Sequence, residues 1–147
     1  MGKTLRIQKT AEKLANEILT ILKERHNYRW LRLIDQVQAS AASVAHCISE
    51  GHGRTTIGEK LQMLSIANGS LQETITAIGE LEAVGILNNE ESVRFATEYK
   101  QLSASILLFA AAQLDKHPHY NGAYRAFALR GLKLRAFIRS RKKTTSP

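Results

Sequence analysis

Residues 39–64, ASAASVAHCISEGHGRTTIGEKLQML, hold the end of one apolar stripe, a glycine-bearing break and the start of another. Ala41, Val44 and Ile48 recur at three- and four-residue spacing, the period of a helix with one buried face. The small residues Ala39, Ser40, Ala41, Ala42, Ser43 and Ala45 let a neighbouring helix approach closely. The stripe stops at Gly51 with Gly53 close behind. The expectation is that both glycines take positive φ in a tight interhelical turn while Arg54 pairs with Glu50. Thr56 and Glu59 then stand in capping-box spacing, so the next helix should begin near Ile57.

The same period extends outward in both directions. Upstream, Ile7, Ala11, Leu14, Ile18 and Leu22 form one stripe and Leu31, Ile34, Val37, Ala41, Val44 and Ile48 the next. The polar stretch Glu24 to Tyr28 separates them without Gly or Pro; Asn27 is the candidate cap, and one continuous helix is the alternative. Downstream, Leu61, Leu64, Ala67, Leu71, Ile75, Ile78 and Leu81 make the third stripe, with Gly85 placed as its left-handed terminator. Asn88 or Asn89 caps the fourth, Glu90 and Glu91 complement its dipole, and Val93, Ala96, Tyr99, Leu102, Ile106, Phe109 and Ala110 form its buried face. Four helices joined by short polar connections predict an all-α fold, an antiparallel up-down-up-down four-helix bundle over residues 1–115.

The chain has 147 residues, the size of one domain, and Pro118 breaks the pattern after the fourth helix. Residues 116–147 read as a basic C-terminal arm, helical over about 123–142, with Phe127, Gly131, Leu134 and Ile138 on one side. Gly131 costs such a helix about 1 kcal/mol relative to alanine. Leu129, Leu132 and Phe137 widen its apolar surface beyond one docking face, a surplus that another subunit could cover; a helix docked on its own bundle or on a neighbouring subunit, with an exposed cationic face, is expected.

Charge is divided sharply. From Lys116 to Pro147 there are nine Lys and Arg and no Asp or Glu, whereas the other 115 residues carry twelve basic and thirteen acidic side chains. A contiguous basic segment makes a local field to which polyanions respond. The candidate nucleic-acid-binding residues are Arg125, Arg130, Lys133, Arg135, Arg139, Arg141, Lys142 and Lys143, with guanidinium groups suited to phosphate forks and base stacking. Tyr120, Tyr124, Phe127 and Phe137 are candidates for stacking on unpaired bases, although packing is the stronger use for Phe127. A membrane surface, an acidic protein partner and a solubilising tail are the competing readings of the arm. Nucleic acid is favoured over all three.

No catalytic constellation stands out. His46, Cys47, Glu50 and His52 lie close in sequence, but no second cluster completes a metal site, so neither metal nor cofactor is expected. Gly69-Ser70 falls mid-helix without the surrounding grammar of a phosphate loop, and close helix packing explains it better. Glu50 and Arg54 read as a structural pair before they read as an acid or an anion site. Without a Ser/His/Asp set or a repeated acidic pair the expectation is non-enzymatic, and the single Cys47, the lack of an apolar signal core after Met1 and the lack of any apolar run of membrane-spanning length give a cytoplasmic reading with no membrane partner.

Two motifs in order, Ala41 to Arg54 ending in Ser49-Glu50-Gly51-His52-Gly53-Arg54, and Leu64 to Glu73 containing Ile66-Ala67-Asn68-Gly69-Ser70-Leu71-Gln72-Glu73, followed by Ala83-Val84-Gly85-Ile86-Leu87, carry a family resemblance. The chain resembles the four-helix bundle proteins encoded in intervening sequences of bacterial large-subunit ribosomal RNA genes, over about Leu5 to Leu114. The resemblance implies homo-oligomers, commonly five-membered rings, without known catalytic activity. Glu50, Gly51, Gly53, Arg54, Gly69, Ser70 and Glu73 are its structural motif residues. A related branch comprises the accessory variability determinants of diversity-generating retroelements, basic bundles that bind a reverse transcriptase and nucleic acid. Relatives commonly end near the fourth helix, so the basic arm is a departure, as is His26-Asn27-Tyr28 in the first turn. The expected function is a non-enzymatic, self-assembling scaffold that binds RNA or an RNA–DNA hybrid, with a reverse transcriptase as a candidate partner. The alternative is an assembly module that binds no nucleic acid.

Overall fold

Every apolar stripe becomes a helix in the computed structural model, which describes the backbone of residues 3–144 and the side chains from Arg6 onward. The elements are α1 (Lys3–Glu24), a single 3-10 turn (Tyr28–Trp30), α2 (Leu31–Gly53), α3 (Ile57–Ala83), α4 (Asn89–Lys116) and α5 (Arg125–Thr144). No strand occurs among the described residues, so the protein is all-helical.

Local chemistry accounts for each boundary. Asn27 is extended, and its side chain accepts the Arg29 N–H at 3.0 Å, which caps the 3-10 turn and breaks what would otherwise be one long helix. Thr56 caps α3 by accepting the Glu59 N–H at 3.2 Å. The Glu59 carboxylate returns to the Thr56 hydroxyl at 3.0 Å and not to its backbone, so the expected capping box is half made. Asn88 makes the full box with Glu91. Gly85, at φ 81°, ends α3: its N–H reaches the Glu82 carbonyl and the Ile86 N–H reaches Leu81, the two bonds of a Schellman motif.

Gly85 is the one described residue with positive φ, which corrects the reading of Gly51 and Gly53. Helix α2 runs through both, and extended Arg54 makes the turn instead. Gly51 has a different use: it is buried, and a Cβ there would stand 3.2 Å from the Met63 Cβ, so its bare backbone lets α3 approach α2. Gly53 meets nothing within 4 Å.

Helix α1 packs on α2 and α4, α2 on α3, and α3 on α4, around Leu14, Ile18, Ile48, Leu64, Ile78, Phe95 and Ile106. The structure keeps the period of the stripes and departs from them at two ends. Leu31 is exposed, and Val93 is 55% exposed, with Ser92 and Phe95 turned inward in its place. Between α2 and α3, the Thr74 hydroxyl donates to Ser40 at 2.8 Å and Ser43 meets Ser70 at 2.8 Å. Hydroxyls that satisfy each other take core positions an apolar-only reading passes over.

Two ion pairs tie α1 to the beginning of α4: Arg94 to Glu17 at 2.8 Å, and Arg25 to Glu91 at 2.7 and 2.8 Å through both guanidinium nitrogens. Arg25 also donates to the Ile86 carbonyl at 2.9 Å. The Arg25 hydrogen bond, followed by the Asn88 N–H, holds the Glu91 carboxyl below its ordinary value of 4.5. A carboxyl lowered on folding stabilises the protein above its unfolded value, and this contribution disappears as pH falls through the folded value. Glu91→Gln should therefore lower Tm by a few degrees at pH 7, for a loss of about 1 kcal/mol. The gap from the parent should close toward pH 3 in thermal unfolding followed by circular dichroism; a gap independent of pH would refute this role.

Candidate nucleic-acid interface

The basic arm is docked. Pro118 cannot continue α4, and the segment after it folds back through Tyr120, whose carbonyl accepts from Arg125 Nη1 at 2.8 Å and whose hydroxyl accepts the Tyr124 N–H at 3.4 Å. Phe127 and Ala128 then enter the same core cluster as the first four helices. Gly131 is buried against α4, where a Cβ would overlap the Leu107 carbonyl and stand 3.1 Å from the Ala111 Cβ. The glycine that weakens α5 as an isolated helix is what lets its backbone lie on that of α4.

One turn further on, Arg135 grips Asp115 with both guanidinium nitrogens, Nη2 to Oδ1 at 2.9 Å. This hydrogen bonding, with the added charge of Arg139, holds the Asp115 carboxyl below the usual carboxylate range. Gly131 meets Ala111 and Arg135 meets Asp115, so the contact advances along both helices together. Helix α4 ends at Lys116. Residues 136–144 follow Arg135 to the end of α5. Among them only Ile138 is half-buried; the rest are exposed.

Docking divides the eight candidate cations into two groups. Arg125 and Arg135 are half-buried and bonded within the chain, to the Tyr120 carbonyl and to Asp115. Arg130, Lys133, Arg139, Arg141, Lys142 and Lys143 are exposed. The aromatic candidates divide in the same way. Phe127 is 7% exposed, Tyr120 and Tyr124 pack partly against the core, and Phe137 is 57% exposed. The Arg141 guanidinium lies 5.6 Å from the Phe137 ring centroid and that of Arg130 6.0 Å from Phe127. Sequence reasoning missed Asp115 as the anchor of the arm. Its signal was being the last acid before the basic segment.

The motif residues sit elsewhere. Arg54 pairs with Glu50 at 3.2 Å, and His46 Nε2 approaches the same carboxylate at 4.0 Å. Cys47 is buried, apart from exposed His46 and His52, and the described residues gather no group of three or more His, Cys, Asp and Glu fit to hold a metal. Ser70 is half-buried against Ser43, whereas Glu73 is exposed. Gly69 is exposed and meets nothing within 4 Å, so close packing inside one chain does not explain it, contrary to expectation.

The chain belongs to the 23S rRNA-intervening sequence protein family, whose model matches residues 3–107. No curated protein and no solved structure matches it. The family match therefore covers α1 to α3 and α4 as far as Leu107, the residue on which Gly131 rests; α5 lies beyond it. No helix among the described residues is long and apolar enough to cross a membrane.

Gly131→Ala tests the docking directly. Overpacking against a backbone carbonyl should cost about 1–3 kcal/mol. Amide hydrogen exchange should show protection lost across α5 first, with the interior of α1 to α4 retained. Unchanged protection in α5 would mean that the close approach is not what holds it.

Proposed function

We propose that this protein is a non-enzymatic, self-assembling scaffold, an antiparallel four-helix bundle, that binds RNA or an RNA–DNA hybrid through the exposed cations of α5. The observation that carries the reading is the separation of duties along that helix. Arg125 and Arg135 hold α5 in place, and Arg130, Lys133, Arg139, Arg141, Lys142 and Lys143 are exposed, with no acidic residue after Asp115. Such a surface suits a phosphate backbone, where each neutralised phosphate releases condensed counterions.

Assembly with itself, with a pentamer as the form the family suggests, is supported by the outer face of α3. Ile66 is 45% exposed beside Gly69, whose position has no neighbour in the single chain. Repeating α5 around an oligomer would raise avidity without any new contact. A reverse transcriptase partner rests on the family resemblance alone.

The test uses the full chain, because truncation before α5 would strip Phe127 and Ala128 from the core. Lys133→Gln, Arg139→Gln and Lys143→Gln combined should leave the helical circular dichroism unchanged and weaken binding to RNA and to an RNA–DNA hybrid. The log-log salt slope should fall by about 0.7–0.9 for each phosphate contact removed. No binding by the parent protein, or an unchanged slope in the variant, would overturn the proposal. Light scattering on Ile66→Glu reads the assembly separately, with smaller particles expected.

A further inference from the structure

We infer that the outward face of α5 takes unpaired nucleic acid, with Phe137 as the platform on which a base stacks. The inference rests on the proposed nucleic-acid function and names the class of polyanion. Arg130, Lys133, Phe137 and Arg141 follow one another at three- and four-residue spacing, so they line one side of the helix. That side lies opposite Ala128, Gly131 and Arg135, which face α4. Leu129 and Ala136 border the strip and, with Ala126 and Leu132, floor a shallow groove beside Arg130 and Lys133. An aromatic ring thus stands between cations on a stretch of helix that is open to solvent.

Phosphate attraction alone does not account for this arrangement, because lysines and arginines on a polar helix would suffice for a duplex backbone. A duplex hides its base faces, so Phe137 gains nothing from it. Unpaired bases offer a π-face to any exposed ring, and arginine beside the ring strengthens the stack. The three other aromatic residues of the arm, Tyr120, Tyr124 and Phe127, are packed against the body, which leaves Phe137 as the ring available for this use. The same arm of a second copy is a poor occupant, since the strip is cationic and residues 116–147 carry no acid to meet it.

Affinity of the full-length protein would be measured for a short unstructured single-stranded RNA, for a blunt duplex RNA of the same length, and for anionic phospholipid vesicles. The single strand should bind more tightly than the duplex at matched salt. Phe137→Ala should weaken single-strand binding roughly ten-fold while leaving its salt slope and the duplex affinity unchanged. Phe137→Trp should restore or exceed the parental affinity, with quenching of the added indole by the single strand alone. Equal losses for single strand and duplex, no loss for either, or a loss seen only with vesicles would each overturn the inference. Failure of the parent to bind either RNA would remove the proposed function as well, whereas parental binding that responds to Lys133→Gln but not to Phe137→Ala removes the stacking platform alone.

Discussion

The bare backbone of Gly131 over the Leu107 carbonyl sets where the basic helix lies, and much of the molecular surface depends on that approach. A helix carrying this much positive charge has little reason to settle on a protein surface unless something offsets the loss of its freedom. Phe127 and Ala128 supply buried apolar area, the missing Cβ supplies close packing, and the Asp115 carboxylate supplies a fixed anchor for Arg135. Removing the side chain at one position costs helix propensity and gains a contact between two backbones. The same substitution of purpose occurs at Gly51, where α3 comes close to α2.

Helix α4 is consequently shared between two tasks. Phe95, Tyr99, Leu102 and Ile106 close the core with α1 and α3, while Leu107, Ala111 and Asp115 receive α5. The family match ends at Leu107, inside this second set, so its limit falls within one helix and not at a linker. The arm is therefore not a tail attached to a finished body. Its first half completes the core, and past Arg135 all of its described residues but Ile138 are exposed.

The docking also sorts charge by use. Spread along a free tail, nine cations would be equivalent; held against α4, two of them become structural and the others are presented on a defined surface. Electrostatics at the opposite end works in the same spirit. Arg25 bridges the Ile86 carbonyl and Glu91, so the turn after α3 and the cap of α4 are locked to the end of α1. Both devices use a forked guanidinium on a carboxylate, the geometry that gives arginine two parallel bonds.

The sequence by itself determined the helices, the cap at Thr56, the left-handed stop at Gly85 and the basic character of the arm, and it narrowed the other caps to Asn27 and to Asn88 or Asn89. These depend on spacing within a few residues, and a helix writes its buried face and its ends locally. Gly51, Gly69 and Gly131 look alike in sequence, yet one admits α3, one stands open and one admits α5. Leu31 and Val93 match the period and still face solvent, while Ser40, Asn68 and Thr74 are buried. Which cations are anchored and which aromatic ring is exposed were likewise decided only by the tertiary structure. Partners distant in the chain, such as Asp115 for Arg135 and Leu107 for Gly131, are chosen by how helices cross, and no local pattern records that crossing.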